Sequence, residues 1–177
     1  AMGCAIEVID MNSHQGQHPR MGATDVVPFI PIKNVSMEAA IAFSREVAQE
    51  AARQYSLPIF LYERSASRPE RENLANIRKG QFEGMADKIK QPEWKPDFGP
   101  VELHPTAGVT AIGARMPLVA YNVNLDSDNL GIANDIAQKV RHISGGLRYC
   151  KGIGIELKDR GVVQVSMNLT DYTQTAL

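Results

Sequence analysis

Apolar and polar positions along this chain fall into short runs of two periods, separated by stretches that proline and glycine lock. Residues 6–11 alternate weakly and include β-branched side chains, which predicts a short strand. Residues 26–32 predict a second strand. Pro28 and Pro31 each lack an N–H, so this strand belongs at a sheet edge or beside an irregular, ligand-facing segment. Ser36 then offers an N-cap with Glu38 in the first turn. Met37, Ile41, Ser44, Val47, Ala48, Ala51 and Tyr55 follow at three- and four-residue steps, the signature of a helix with one apolar face. Pro58 stops it, and 59–62 reads as a short buried strand.

Between 65 and 100 the pattern weakens to one helix over 70–78 and a looser one over 82–90. The stretch 94–100 is a proline- and glycine-locked loop that carries Trp94 and Phe98 and would either cap a core or line a pocket. Residues 109–114 and 118–124 predict strands parted by a turn at 115–117. Asp126 or Ser127 can cap a helix running to about Ile143, where Leu130, Ile132, Ala133, Ile136, Ala137 and Val140 repeat at helical spacing before Gly145 and Gly146 end it. Residues 150–158 and 162–170 are two period-two segments joined by Asp159, Arg160 and Gly161, a hairpin signal. Strand, helix, strand, strand is part of a split βαβ unit, so a closing helix and strand are expected after Leu177.

Composition narrows the function classes. A formal net charge of −1 argues against a nucleic-acid partner, and the arginines of 64–78, interleaved with Glu63, Glu70 and Glu72, read as a solvated face. Cys4 and Cys150 lack metal or disulfide spacing and read as free thiols in a reducing compartment. No apolar run approaches the roughly 20 residues that span a bilayer, and the first residues lack the blocks of a signal peptide, so a cytoplasmic protein without a membrane partner is expected.

The chemistry concentrates in residues 10–31, with His14, Gly16, His18, Pro19, Arg20, Gly22 and Asp25 on a segment that cannot be a continuous helix. His14 and His18 are four apart, but Gln15 stands where a zinc helix would carry glutamate and no third ligand is near, so no metal is expected. No serine sits in a nucleophile elbow, and neither cysteine has a basic neighbourhood that obviously lowers its pKa. The run Gly152, Ile153, Gly154 lacks a dinucleotide fingerprint and reads instead as glycines that admit close backbone packing. Imidazole as an acid and base remains. Arg20 could hold a substrate carboxylate bidentately, or it could pair with Asp25 or another carboxylate of the chain.

These same residues carry a resemblance. His14, Gly16, His18 to Gly22 and Asp25, followed by Pro28 to Pro31, look like the H-x-G-x-H-P-R-M-G-x-x-D segment of the glutamate formiminotransferases. Agreement continues through 35–38, 58–62, 93–100, 113–115, 122–125 and 165–169 with Asp171. The resemblance implies transfer of a formimino group from N-formimino-L-glutamate to tetrahydrofolate, the co-substrate, in histidine breakdown. It implies His18 as the catalytic acid and base. It assigns folate binding to Gly99, Pro100, Val101, Glu102, Leu103, His104, Pro105, Thr106, Ala107 and Gly108.

The fold implied is α/β: two ferredoxin-like subdomains with largely antiparallel sheets, residues 1–114 and 115–177, both incomplete here because the chain lacks the family's opening segment and the end of its second half. The partners expected are the two small molecules, with a homodimer open. The alternative reading is a folate-binding or interaction module, or an inactive fragment of the same fold.

Overall fold

The computed structural model describes residues 1–15 and 19–175, and the chain divides into two compact units, 1–115 and 116–177. The mixed α/β class expected from the sequence holds in both, with a three-stranded sheet in each.

In the first unit the sheet is parallel, in the order β1 (Val26–Phe29), β3 (Thr110–Ala114), β2 (Ile59–Leu61). The expectation of antiparallel pairing fails for this sheet. The reason lies in the connection: β1 leads into the 19-residue helix α2 (Met37–Tyr55), which returns the chain so that β2 runs the same way as β1. Ser36 caps α2 as expected, its Oγ accepting from the Ala39 amide at 3.1 Å. The buried face of α2 is Ala40, Ser44, Ala48, Ala51 and Ala52, small enough for the helix to lie close to the sheet. Pro28 sits on β1, an edge strand, where a missing N–H is tolerated.

Both faces of the sheet are covered, which is why 59–62 and 109–114 read as continuous apolar runs. Phe60, Tyr62 and Ala111 join Met21, Ile77, Met85, Ile89 and Val109 in one cluster. Ile59, Leu61 and Ile112 join Leu57, Ala107 and the α2 alanines in the other.

Residues 6–11 are not a strand. They lie across the end of helix α1 (Met2–Val8), in which Met2 and Ile6, four apart, pack against the α2-side cluster. Two apolar residues in so short a run satisfy either period, and the tertiary contact decides. The helix expected over 70–78 splits into a 3₁₀ turn, Pro69–Arg71, and a short helix α3 (Leu74–Arg78), because Asn73 caps a new start by accepting from the Ala75 amide at 3.1 Å. Helix α4 (Gln81–Lys88) follows after Gly80, whose φ is +94°.

The second unit is antiparallel, in the order β4 (Val119–Leu125), β6 (Val162–Leu169), β5 (Cys150–Leu157), the arrangement expected of a split βαβ unit. Helix α5 (Leu130–Val140) is shorter than expected. Asn129 rather than Asp126 or Ser127 caps it, and a 3₁₀ turn, His142–Ser144, precedes Gly145. Ala133 and Ala137 pack on Val163 and Val165. Gly152 and Gly154 have the packing role expected of them: a Cβ on Gly154 would strike Asn134, and one on Gly152 would crowd the Ala137 carbonyl at 3.2 Å. Among the described residues no helix is long and apolar enough to cross a membrane.

Candidate active site

The histidine segment is held from both sides by main-chain hydrogen bonds that sequence spacing does not reveal. On its N-terminal side Asp10 closes a turn, its Oδ1 accepting from the Asn12 amide at 2.9 Å and the Asn12 Nδ2 at 2.7 Å. These bonds hold the Asp10 carboxyl below its usual value. Asn12 Nδ2 also donates to the Pro105 carbonyl at 2.9 Å, and the Met11 amide donates to the Thr106 carbonyl at 2.8 Å.

On the C-terminal side Met21 is fully buried. Its amide donates to Asp25 Oδ1 at 2.6 Å, and its carbonyl accepts from the Val109 amide at 3.1 Å. The Ala23 amide donates to the Ala107 carbonyl at 2.9 Å. Residues 11–12 and 21–23 therefore lie against 105–109, so the fold brings the histidine segment and the C-terminal half of the folate candidate stretch together within the first unit.

That half is a tight turn built on His104. The Ala107 amide donates to His104 Nδ1 at 3.0 Å, which leaves the neutral ring its proton on Nε2, and the amide of Gly108 donates to the His104 carbonyl at 3.1 Å. Gly108 has φ +69°, and a Cβ there would strike the Met21 carbonyl oxygen. Along the stretch, Ala107 and Gly108 are buried, Leu103, His104 and Thr106 half-buried, and Gly99, Pro100, Val101, Glu102 and Pro105 exposed. The far end is fixed elsewhere: Phe98 exchanges main-chain hydrogen bonds with Ile59, and Gly99, at φ +87°, lies against Leu57. His18 lies outside the described residues.

Arg20 has a carboxylate partner within the chain, and it is Glu83 rather than Asp25. Glu83 Oε2 accepts from Arg20 Nη1 at 3.1 Å and Oε1 accepts from Nη2 at 2.8 Å, while Nη2 also donates to the His14 carbonyl at 2.7 Å. The pair raises the Arg20 pKa and lowers that of Glu83, chiefly through the shared hydrogen bonds. Asp25 is engaged by Arg78, whose Nε donates to Oδ2 at 2.7 Å.

Of the arginines of 64–78, Arg64 and Arg68 are exposed as expected, but Arg78 is half-buried and Arg71 departs furthest from a solvated face. Arg71 is 1% exposed. It donates to Asp97 Oδ2 at 2.7 Å and to the carbonyls of Glu93 and Lys95 at 2.8 and 2.6 Å, and so ties the tryptophan loop to the fold. Trp94 packs against the first core cluster, with Lys88 Nζ 3.9 Å from its ring centre. Burial, with Lys79 nearby, lowers the Lys88 pKa to about 8. Glu83, Arg71 and Asp97 escape sequence reasoning because their partners lie far away along the chain.

Residues 1–115 match the family model described as the formiminotransferase domain, N-terminal subdomain, and residues 120–177 match that described as the formiminotransferase domain. The chain is 56% identical over 173 residues to a glutamate formimidoyltransferase of Streptococcus pyogenes and 43% identical over 175 residues to one of Thermoplasma acidophilum. Each alignment covers 98% of this chain, which spans 58% and 57% of those relatives. It is 42% identical over 179 residues to the formimidoyltransferase-cyclodeaminase of Mus musculus, of which it spans 33%.

Proposed function

The chain belongs to the formiminotransferase family, and from that we propose that it transfers the formimino group of N-formimino-L-glutamate to tetrahydrofolate, giving 5-formiminotetrahydrofolate and glutamate in histidine breakdown. The observation that carries the reading is the hydrogen-bonded apposition of residues 11–12 and 21–23 with 105–109. Residues 11–12 and 21–23 flank His18 along the chain, and 105–108 belong to the stretch that the resemblance assigns to folate, which supports the reading.

Tetrahydrofolate supplies the attacking N5 amine. His18 takes the proton from that nitrogen and returns one to the departing glutamate nitrogen, so the new C–N bond forms and the old one breaks without a net proton. Imidazole suits both halves because it titrates near neutral pH. The 99–108 stretch suits a flat ring with hydrogen-bonding edges. Its residues 99–102 are exposed, and His104, with Nδ1 already engaged, has its Nε2–H left to donate. Arg20 is fixed between Glu83 and the His14 carbonyl, and a substrate carboxylate would share it with Glu83.

The test mixes the purified chain with formiminoglutamate and tetrahydrofolate, converts product to 5,10-methenyltetrahydrofolate in acid, and follows absorbance alongside a folate titration by Trp94 fluorescence. Turnover supports the reading. Binding without turnover replaces it with a folate-binding module, and absence of both contradicts folate recognition by this chain.

A further inference from the structure

The first turn of α4 grips Arg20 twice. The Phe82 amide donates to the Arg20 carbonyl at 2.9 Å, and the Glu83 carboxylate takes both terminal nitrogens of the same residue. Arg20 in turn donates to the carbonyl of His14, so the two ends of the segment 14–20 are tied through one guanidinium to one helix. The Arg20 side chain is 14% exposed and that of Glu83 64%, so the carboxylate closes the pair from the solvent side. Arg20 Nε is buried and has no hydrogen-bond partner among the described residues, which leaves the terminal fork to hold the guanidinium.

We propose that Glu83 is a positioning residue for the transfer reaction: by fixing Arg20 between α4 and the His14 carbonyl, it holds the two described anchors, residues 14 and 20, that flank His18 along the chain. The proposal rests on the reading of His18 as the acid and base. Its physical basis is that one guanidinium bonds both the Glu83 carboxylate and the His14 carbonyl, so removing either charge partner frees both contacts. Without the carboxylate, a guanidinium with an unpartnered Nε gains by turning to solvent, and the His14 carbonyl is released with it. A displacement of a proton-transfer group by about 1 Å costs on the order of a hundredfold in rate. The main-chain bond from Phe82 survives the loss of the carboxylate, so the fold persists while the His14–Arg20 anchor loosens.

Glu83→Gln keeps size and one acceptor but removes the charge. Amide hydrogen exchange over 13–20 should accelerate about tenfold in this variant, with the core strands β2 and β3 unchanged. The transfer kcat should fall about tenfold or more, with the KM for tetrahydrofolate within about twofold of wild type. Wild-type exchange across 13–20 overturns the proposal, and so does a loosened segment with wild-type kcat. His18→Gln separates the two claims. Retained kcat in that variant, or a wild-type chain that does not turn over, removes the acid–base reading, and the exchange experiment then decides the anchoring role on its own.

Discussion

Gly108 meets the main chain of Met21 so closely that a Cβ on the glycine would overlap the Met21 carbonyl oxygen, and with φ +69° no other residue sits there without strain. This contact joins the histidine segment to the folate candidate stretch. Gly108→Ala should cost at least about 2 kcal/mol in urea denaturation, since strain and collision act together. It should also weaken folate binding. Gly161→Ala, at φ +63° with open space around it, is the control for strain alone.

The Arg71–Asp97 pair makes a separable prediction about stability. Asp97 accepts from Arg71, from the Leu61 amide at 2.7 Å and from Ser67, while the Arg71 side chain is 2% exposed. Removing one partner strands the other. Asp97→Ala should therefore destabilise by about 3–5 kcal/mol, read by urea denaturation followed through Trp94. A loss within about 0.5 kcal/mol would show the pair to be solvated.

The Arg20–Glu83 clamp should be acid-labile. The Glu83 pKa is lowered from 4.5, chiefly by its hydrogen bonds with Arg20. Its contribution is therefore complete above the unfolded value of 4.5 and is lost as pH falls through the lower folded value. Exchange over 13–20, corrected for the intrinsic pH dependence, should speed up below that range in wild type. The acid step should be absent in Glu83→Gln.

Lys88 predicts a signal in the opposite range. Its pKa is lowered from 10.5 to about 8, so the folded chain sheds this proton before the unfolded chain does, and the contribution to stability rises as pH climbs from about 8 toward 10.5. Its ammonium sits over Trp94, so tryptophan emission should titrate with a midpoint near 8 in wild type and not in Lys88→Met. The substitution also removes donors from the carbonyls of Ile77 and Lys79, held at 2.7 and 3.1 Å, so α3 should fray.

Helix α2 and the 150–170 hairpin are legible in the sequence because a cap, a periodic face and a turn all lie within a few residues of one another. The parallel sheet is not, since β3 inserts between β1 and β2 from nearly 50 residues further along the chain, after Leu61. The site divides in the same way. His18 and Arg20 lie on a motif and the 99–108 stretch is proposed from the resemblance alone, whereas Glu83 lies 63 residues from Arg20 and is one exposed glutamate among many until the fold joins them. Arg71 looks like its charged neighbours for the same reason, and only the fold shows that Asp97 and two carbonyls bury it.

The most direct measurement is the transfer rate of His18→Ala at saturating formiminoglutamate and tetrahydrofolate, beside its folate affinity by Trp94 fluorescence. Loss of an acid–base group from the reacting nitrogens predicts a kcat lower by about 10²–10⁴-fold, with folate affinity within about twofold of wild type. A kcat near that of wild type would contradict the account.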